Sequence, residues 1–131
     1  MTSIQCENFQ QTVSSYLLRH QSILDLLSKM MVTTGCVNRA ITKSVTSCGC
    51  LKIHAKKRPL PPDADLKDCK DFFSSHLEGQ LCENCRDIII NEMGKNLFYF
   101  AALCSTLDIN LQEVLDQEND KVTTLGHFNM T

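Results

Sequence analysis

A chain of 131 residues that is 43% apolar and 21% charged is long enough to bury a core as a single domain, expected here over 1–131. Its formal charge of −2 argues against a dedicated polyanion binder, so no nucleic-acid partner is expected. Five glycines, three prolines and no tryptophan suit an all-α protein better than a turn-rich β one. No apolar run reaches membrane-spanning length, and Met1-Thr2-Ser3-Ile4-Gln5-Cys6 lacks the basic-then-apolar order of a signal peptide. The expected location is therefore cytoplasmic and reducing, where eight cysteines point to metal or redox chemistry rather than to a disulfide framework.

In chain order, residues 3–19 read as a first helix, with Cys6, Phe9, Val13, Tyr16 and Leu17 on one face. A second, longer helix covers 22–47, with Ser22 as a cap and Asp25 in its first turn. Its seam is Ile23, Leu27, Met30, Thr34, Val37, Ile41 and Val45, and further apolar residues beside this seam predict a second contact face. Gly35 within it points to close helix packing. Residues 47–62 form the irregular segment: the first cysteine pair, a brief extended piece at Leu51-Lys52-Ile53-His54, then the proline-rich Pro59-Leu60-Pro61-Pro62. Asp63 or Asp65 can cap a short third helix through about 75, with Leu66, Cys69, Phe72 and Phe73 inward and Gly79 marking its exit.

Residues 82–107 carry the strongest helical pattern. Ile89, Met93, Leu97, Phe100, Cys104 and Leu107 make a stripe that places this helix at the centre of a bundle. Asn110 with Glu113 forms a capping box for the last helix, whose core face is Leu111, Val114, Leu115, Val122 and Leu125, with Gly126 as its stop. The architecture expected is a four- to five-helix bundle with one cysteine-bearing loop.

The chemistry concentrates in Cys48-Gly49-Cys50 and Cys82-Glu83-Asn84-Cys85, separated by residues 51–81. Two tight thiol pairs supply a tetrahedral set of ligands for one metal ion. Gly49 permits a sharp turn between the first two sulfurs. Cys82 and Cys85 share a face at a helix start, where the positive end of the helix dipole favours the thiolate a metal binds. Zinc is the expected metal, with an iron–sulfur cluster, which four thiolates could also hold, as the alternative. A redox dithiol at Cys82 and Cys85, resolved by Cys48 and Cys50, is the third reading. Lys43, Lys52, Lys56, Lys57, Arg58 and Arg86 lie near the pairs in sequence and would offset the charge of four thiolates.

His54 could replace one thiol, although an exposed loop histidine explains it better. Cys36 and Cys104 read as core, and Cys6 and Cys69 as free thiols. The run Lys56-Lys57-Arg58 could meet the phosphate of a nucleotide, but no aromatics interleave with it and a solvated loop accounts for it. Nucleophile elbow, P-loop and dinucleotide fingerprints are absent, so no catalytic residue is assigned.

The stretch Asn91-Glu92-Met93-Gly94-Lys95-Asn96-Leu97-Phe98-Tyr99-Phe100, continuing through Leu107-Asp108-Ile109-Asn110-Leu111 to Glu113, Val114, Leu115 and Lys121, resembles the MazG-like all-α nucleoside triphosphate pyrophosphohydrolases. The resemblance implies a MazG-like helical fold and a homodimer. That family holds Mg2+ with a Glu-Glu-x-x-Glu group on one helix and a Glu-x-x-Asp on the next long one. Glu92 matches the second motif, but Lys95 stands at the Asp position, and residues 31–38 contain no carboxylate. Mg2+ needs hard oxygen ligands, so the resemblance implies the fold without the hydrolysis. The enzymatic alternative is a divergent pyrophosphohydrolase using Glu92 with Glu83 or Asp87. The preferred expectation is a zinc-binding helical protein with a structural or regulatory role, its ligand or protein partner left open.

Overall fold

The computed structural model describes residues 5–18, 21–57, 61–63, 65 and 74–126. Within them the chain forms α1 (Cys6–Tyr16), α2 (Ile23–Lys43), a π-helical turn (Ser44–Cys48), β1 (Leu51–Ile53), β2 (Leu77–Gly79), α3 (Glu83–Thr106) and α4 (Leu111–Leu125). The helical expectation holds for four helices among the described residues, with a two-stranded antiparallel sheet added to it. The helix expected from 63 or 65 to 75, with Leu66, Cys69, Phe72 and Phe73, lies largely outside the described residues; Ser74 to His76, which are described, have no regular structure.

α3 is the central element, packed chiefly against α2 and also against α1, whose Val13 joins Ala101, Ala102 and Cys104 in the core. The core joins Val13, Leu26, Ala101, Ala102, Cys104 and Leu111, with Phe9, Leu17, Phe98, Tyr99 and Phe100 packed around them. Ala101 and Ala102 are fully buried; side chains this small let neighbouring backbones come close. Phe98 and Tyr99 meet edge to face, with ring centroids 5.2 Å apart.

A single amide fixes the corner between α3 and α4. Gln10 on α1 donates through Nε2 to the Ile109 carbonyl at 2.8 Å and to Ser105 Oγ at 3.1 Å, and its Oε1 accepts from the Leu111 N–H at 2.9 Å. It therefore satisfies one of the orphan donors at the α4 N-terminus. Asn110 caps the same helix, as expected, but its Oδ1 accepts from the Gln112 N–H at 2.9 Å.

The structure rotates two of the expected seams. On α2 and the π-turn that follows it, the fully or nearly buried residues are Leu26, Thr33 and Ser44, whereas Leu27, Thr34 and Ile41 face outward. Apolar periodicity misses this because short hydroxyls can be buried at little cost when a carbonyl accepts from them. Thr33 Oγ1 donates to the Lys29 carbonyl at 2.8 Å and Ser44 Oγ to the Ile41 carbonyl at 2.6 Å. Asn96 of α3 reaches across to donate to both Thr33 Oγ1 and Thr34 Oγ1 at 3.0 Å. On α3, Cys85, Ile89 and Cys104 are buried, while Met93, Leu97 and Leu107 are about half exposed. On α4 only Leu111 is buried; Val114, Leu115, Val122 and Leu125 remain 37–51% exposed.

Gly35 does not mark a close helix contact. A Cβ built there meets nothing within 4 Å. Glycine in an open helix interior only adds freedom to the unfolded chain. Gly35→Ala is expected to stabilise the protein by about 1 kcal/mol, read as a rise in Tm of about 2–5 °C.

Candidate metal centre

The cysteine cluster is built where α2 stops being α-helical. From Ser44 the helix widens into a π-turn through Cys48, closed by the Gly49 N–H donating to the Ser44 carbonyl at 2.9 Å. Gly49 then takes φ +80, a left-handed conformation that glycine adopts without strain. The expected helix end at 47 is thus a change of winding that swings Cys48 and Cys50 to one side.

β1 and β2 bring the second half-site to the first. Leu51 pairs with Gly79, Lys52 with Glu78 and Ile53 with Leu77; the His54 N–H extends the ladder to the His76 carbonyl at 2.8 Å. Gly79 is therefore a strand residue and not the exit of a helix. It has φ +85, and a Cβ on it would stand 2.5 Å from the Cys50 carbonyl oxygen. The backbone of one half-site lies against the chain that leads to the other, and only glycine fits there. Three residues later Cys82 occupies the N-cap of α3, its sulfur accepting from the Cys85 N–H at 3.4 Å. The helix-start placement expected from the Cys-x2-Cys spacing holds.

The sulfurs of Cys48, Cys50, Cys82 and Cys85 all lie within 4.8 Å of one another, close enough to bind a metal ion. Cys48 and Cys82, from opposite half-sites, are 3.8 Å apart. Cys85 is buried, Cys50 and Cys82 are half-buried, and Cys48 is exposed. Cys50 Sγ also faces the Ser44 carbonyl at 3.7 Å. A cleft of about 190 Å3 opens beside Cys48 and Cys85, with Lys43, Ser47 and Asn84 on its walls. Of the cations expected near the pairs, Lys43 is the one that lines this cleft, and Arg58 lies outside the described residues.

His54 is not part of the cluster; its Nε2 stands 3.3 Å from Glu78 Oε2 across the hairpin. Cys36 and Cys104 lie elsewhere on α2 and α3, half-buried and buried respectively. Cys6 is half-buried at the start of α1, and Cys69 lies outside the described residues. Among the described residues, no second group of three or more His, Cys, Asp or Glu side chains gathers as a cation site. Glu92 pairs with Lys95 at 3.6 Å, and one turn further along α3 Asn96 bonds Thr33 and Thr34 of α2.

Four clustered sulfurs cannot all carry charge without a cation between them. The Cys85 backbone N–H, followed by the Cys85 side chain, holds the Cys82 thiol down to about 7. Its neighbour answers in the other direction: hydrogen bonding with Cys82, then burial, pushes Cys85 up to about 12. Cys48 is raised as well; the Cys50 backbone N–H and the Cys85 side chain lower it, but Cys82, Cys50 and lost hydration outweigh them. One thiolate therefore forms first, at the helix N-terminus, with protonated neighbours donating towards it.

Comparison of the chain with protein-family models, with curated proteins and with solved structures returns no match. What the site can do must then be argued from its own chemistry. Two residues essential to its geometry escape a reading based on ligand types. Ser44 turns the helix end, and Gly79 admits the Cys50 carbonyl. The signal for Gly79 was its place three residues before Cys82, where a turn into the helix needs room.

Metal binding by such a cluster displaces protons. Because Cys48 and Cys85 hold theirs above neutrality, zinc added at pH 8 is expected to release about two protons or more per ion. Below about 7 Cys82 also binds a proton, so apparent zinc affinity falls more steeply as the pH drops. Titration in a weakly buffered dye solution at several pH values measures both effects.

Proposed function

We propose that Cys48, Cys50, Cys82 and Cys85 hold one zinc ion as a structural centre that ties the turn after α2 to the start of α3, and that the protein acts as a helical binding scaffold. The observation that carries the reading is the gathering of two sequence-distant thiol pairs within 4.8 Å. A zinc ion with Zn–S bonds of about 2.3 Å sets tetrahedral edges of ~3.8 Å. The Cys48–Cys82 separation already has that value, and the longest edge would contract by roughly 1 Å. Thiolates are soft ligands, suited to zinc or iron and not to Mg2+. An iron–sulfur cube fits less well, because its four thiolates bind different irons and spread to roughly 6 Å apart or more.

A complete four-thiolate shell leaves no open position for a metal-activated water, which supports a structural role over a hydrolytic one. Support for the alternative, a divergent Mg2+-dependent pyrophosphohydrolase, is thinner. Glu92 faces Lys95, and Glu83, Asp87 and Glu92 do not gather with a further acid among the described residues. Elemental analysis of protein purified without added metal is expected to return one zinc per chain. Absence of stoichiometric zinc would remove the reading; iron with sulfide would replace it with the cluster.

A further inference from the structure

The four sulfurs are not equally protected. Cys48 is exposed, Cys50 and Cys82 are half-buried and Cys85 is buried. The cleft of about 190 Å3 beside Cys48 and Cys85 carries Lys43, Ser47 and Asn84 on its walls, three side chains that donate hydrogen bonds. Ordinary ligand pockets begin at roughly 300 Å3, so this one suits a molecule of only a few atoms.

The sulfur of Cys82, on the other half-site, stands 3.8 Å from that of Cys48. A disulfide of about 2.05 Å needs the two to close by less than about 2 Å. Room for that movement exists at Gly49, where a Cβ would meet nothing within 4 Å. Cys85 is the poorer partner, since it is buried in the first turn of α3 and thiol oxidation follows access.

We propose that Cys48 is an oxidation site for a small hydroperoxide and that Cys82 resolves it, so that a disulfide replaces zinc as the link between the turn after α2 and the start of α3. The release of metal rests on the zinc reading above; the choice of sulfurs rests on geometry alone. With a cation at the centre all four sulfurs are thiolates, and access decides that Cys48 reacts first. Its sulfur attacks the outer peroxide oxygen, the O–O bond breaks, and the departing alkoxide or hydroxide takes a proton from water. Lys43, Ser47 and Asn84 are placed to steady that developing anion. The Cys82 thiolate then attacks the Cys48 sulfenic acid: the S–S bond forms, the S–O bond breaks, and hydroxide leaves to become water. Two electrons pass from the sulfur pair to one peroxide. Cys50 and Cys85 alone cannot complete a tetrahedral shell, and zinc is released. This pair differs from the Cys82–Cys85 dithiol that the Cys-x2-Cys spacing suggests.

One equivalent of hydrogen peroxide, added to the zinc-loaded full chain, tests the assignment. The eight thiols are expected to fall to about six, with about one zinc passed to a chromophoric chelator per disulfide. Peptide mapping without reduction is expected to join Cys48 to Cys82, and dithiothreitol with added zinc to restore the starting state. Amides of β1 and β2 should exchange more slowly in the oxidised chain than in reduced, metal-stripped protein, because the disulfide keeps the two segments linked. Lys43→Met is expected to oxidise about 10-fold more slowly, with rates taken on samples matched for zinc content. Any other disulfide, Cys82–Cys85 included, overturns the proposal. So does an unchanged thiol count, or conversion of Cys48 to sulfinic acid without a disulfide. A native rate in Lys43→Met removes the part given to the cleft. Should the chain as purified hold no zinc, only the zinc reading fails; mapping the oxidised metal-free chain still decides which sulfurs pair.

Discussion

A Cys85→Ser variant is expected to lose stoichiometric zinc and, with it, order at one end of the molecule. Cys85 is the buried member of the four, and a serine hydroxyl at that position is a poor zinc ligand. Structural zinc contributes apparent binding free energies of about 10–16 kcal/mol in small peptides. Here the effect should stay local, because α1, α3 and α4 keep their own core around Ala101, Ala102 and Leu111. The three-residue strands β1 and β2 have no such reserve, since among their residues only Leu51 is buried. Hydrogen exchange should therefore show the β1–β2 amides opening by several orders of magnitude while those of α3 beyond Asn96 change little. Cys36→Ser, outside the cluster, is the matched control and should retain zinc.

Gly79→Ala should weaken the centre without touching a ligand. The added methyl would stand 2.5 Å from the Cys50 carbonyl oxygen, and the obstacle is backbone, which cannot rotate away. In addition, φ +85 is a conformation alanine adopts only with strain. Either the Leu51–Gly79 pairing opens or Cys50 shifts away from Cys82 and Cys85. Zinc affinity is expected to fall about 10–100-fold, the range typical of lost outer-shell support, measured by competition with a chromophoric chelator. Gly49→Ala shares the positive φ but meets open space, so it should lose less. Equal losses in the two variants would mean that the contact with Cys50 carries no weight.

Much of this was legible from the sequence. The cysteine pairs, the helix start at Cys82, the extended piece after Cys50 and the cap at Asn110 all rest on local rules, and local rules act within a few residues. The rotated seams show where those rules stop. Thr33 and Ser44 are buried because neighbouring carbonyls accept their hydroxyl protons, whereas Leu115 and Val122 stay exposed although their pattern asks for cover. Pattern tells a helix which side is apolar. It does not tell it how much of that side the rest of the fold covers.

By itself the sequence determined a helical chain with four soft ligands in two tight pairs, because ligand type and spacing within each pair are properties of neighbouring residues. Only the tertiary structure decided that the pairs meet, that Gly79 is the contact that lets them, and which way α2 and α3 face each other. Those outcomes depend on residues far apart in the chain being held at a few ångströms, and no short window of sequence contains that distance.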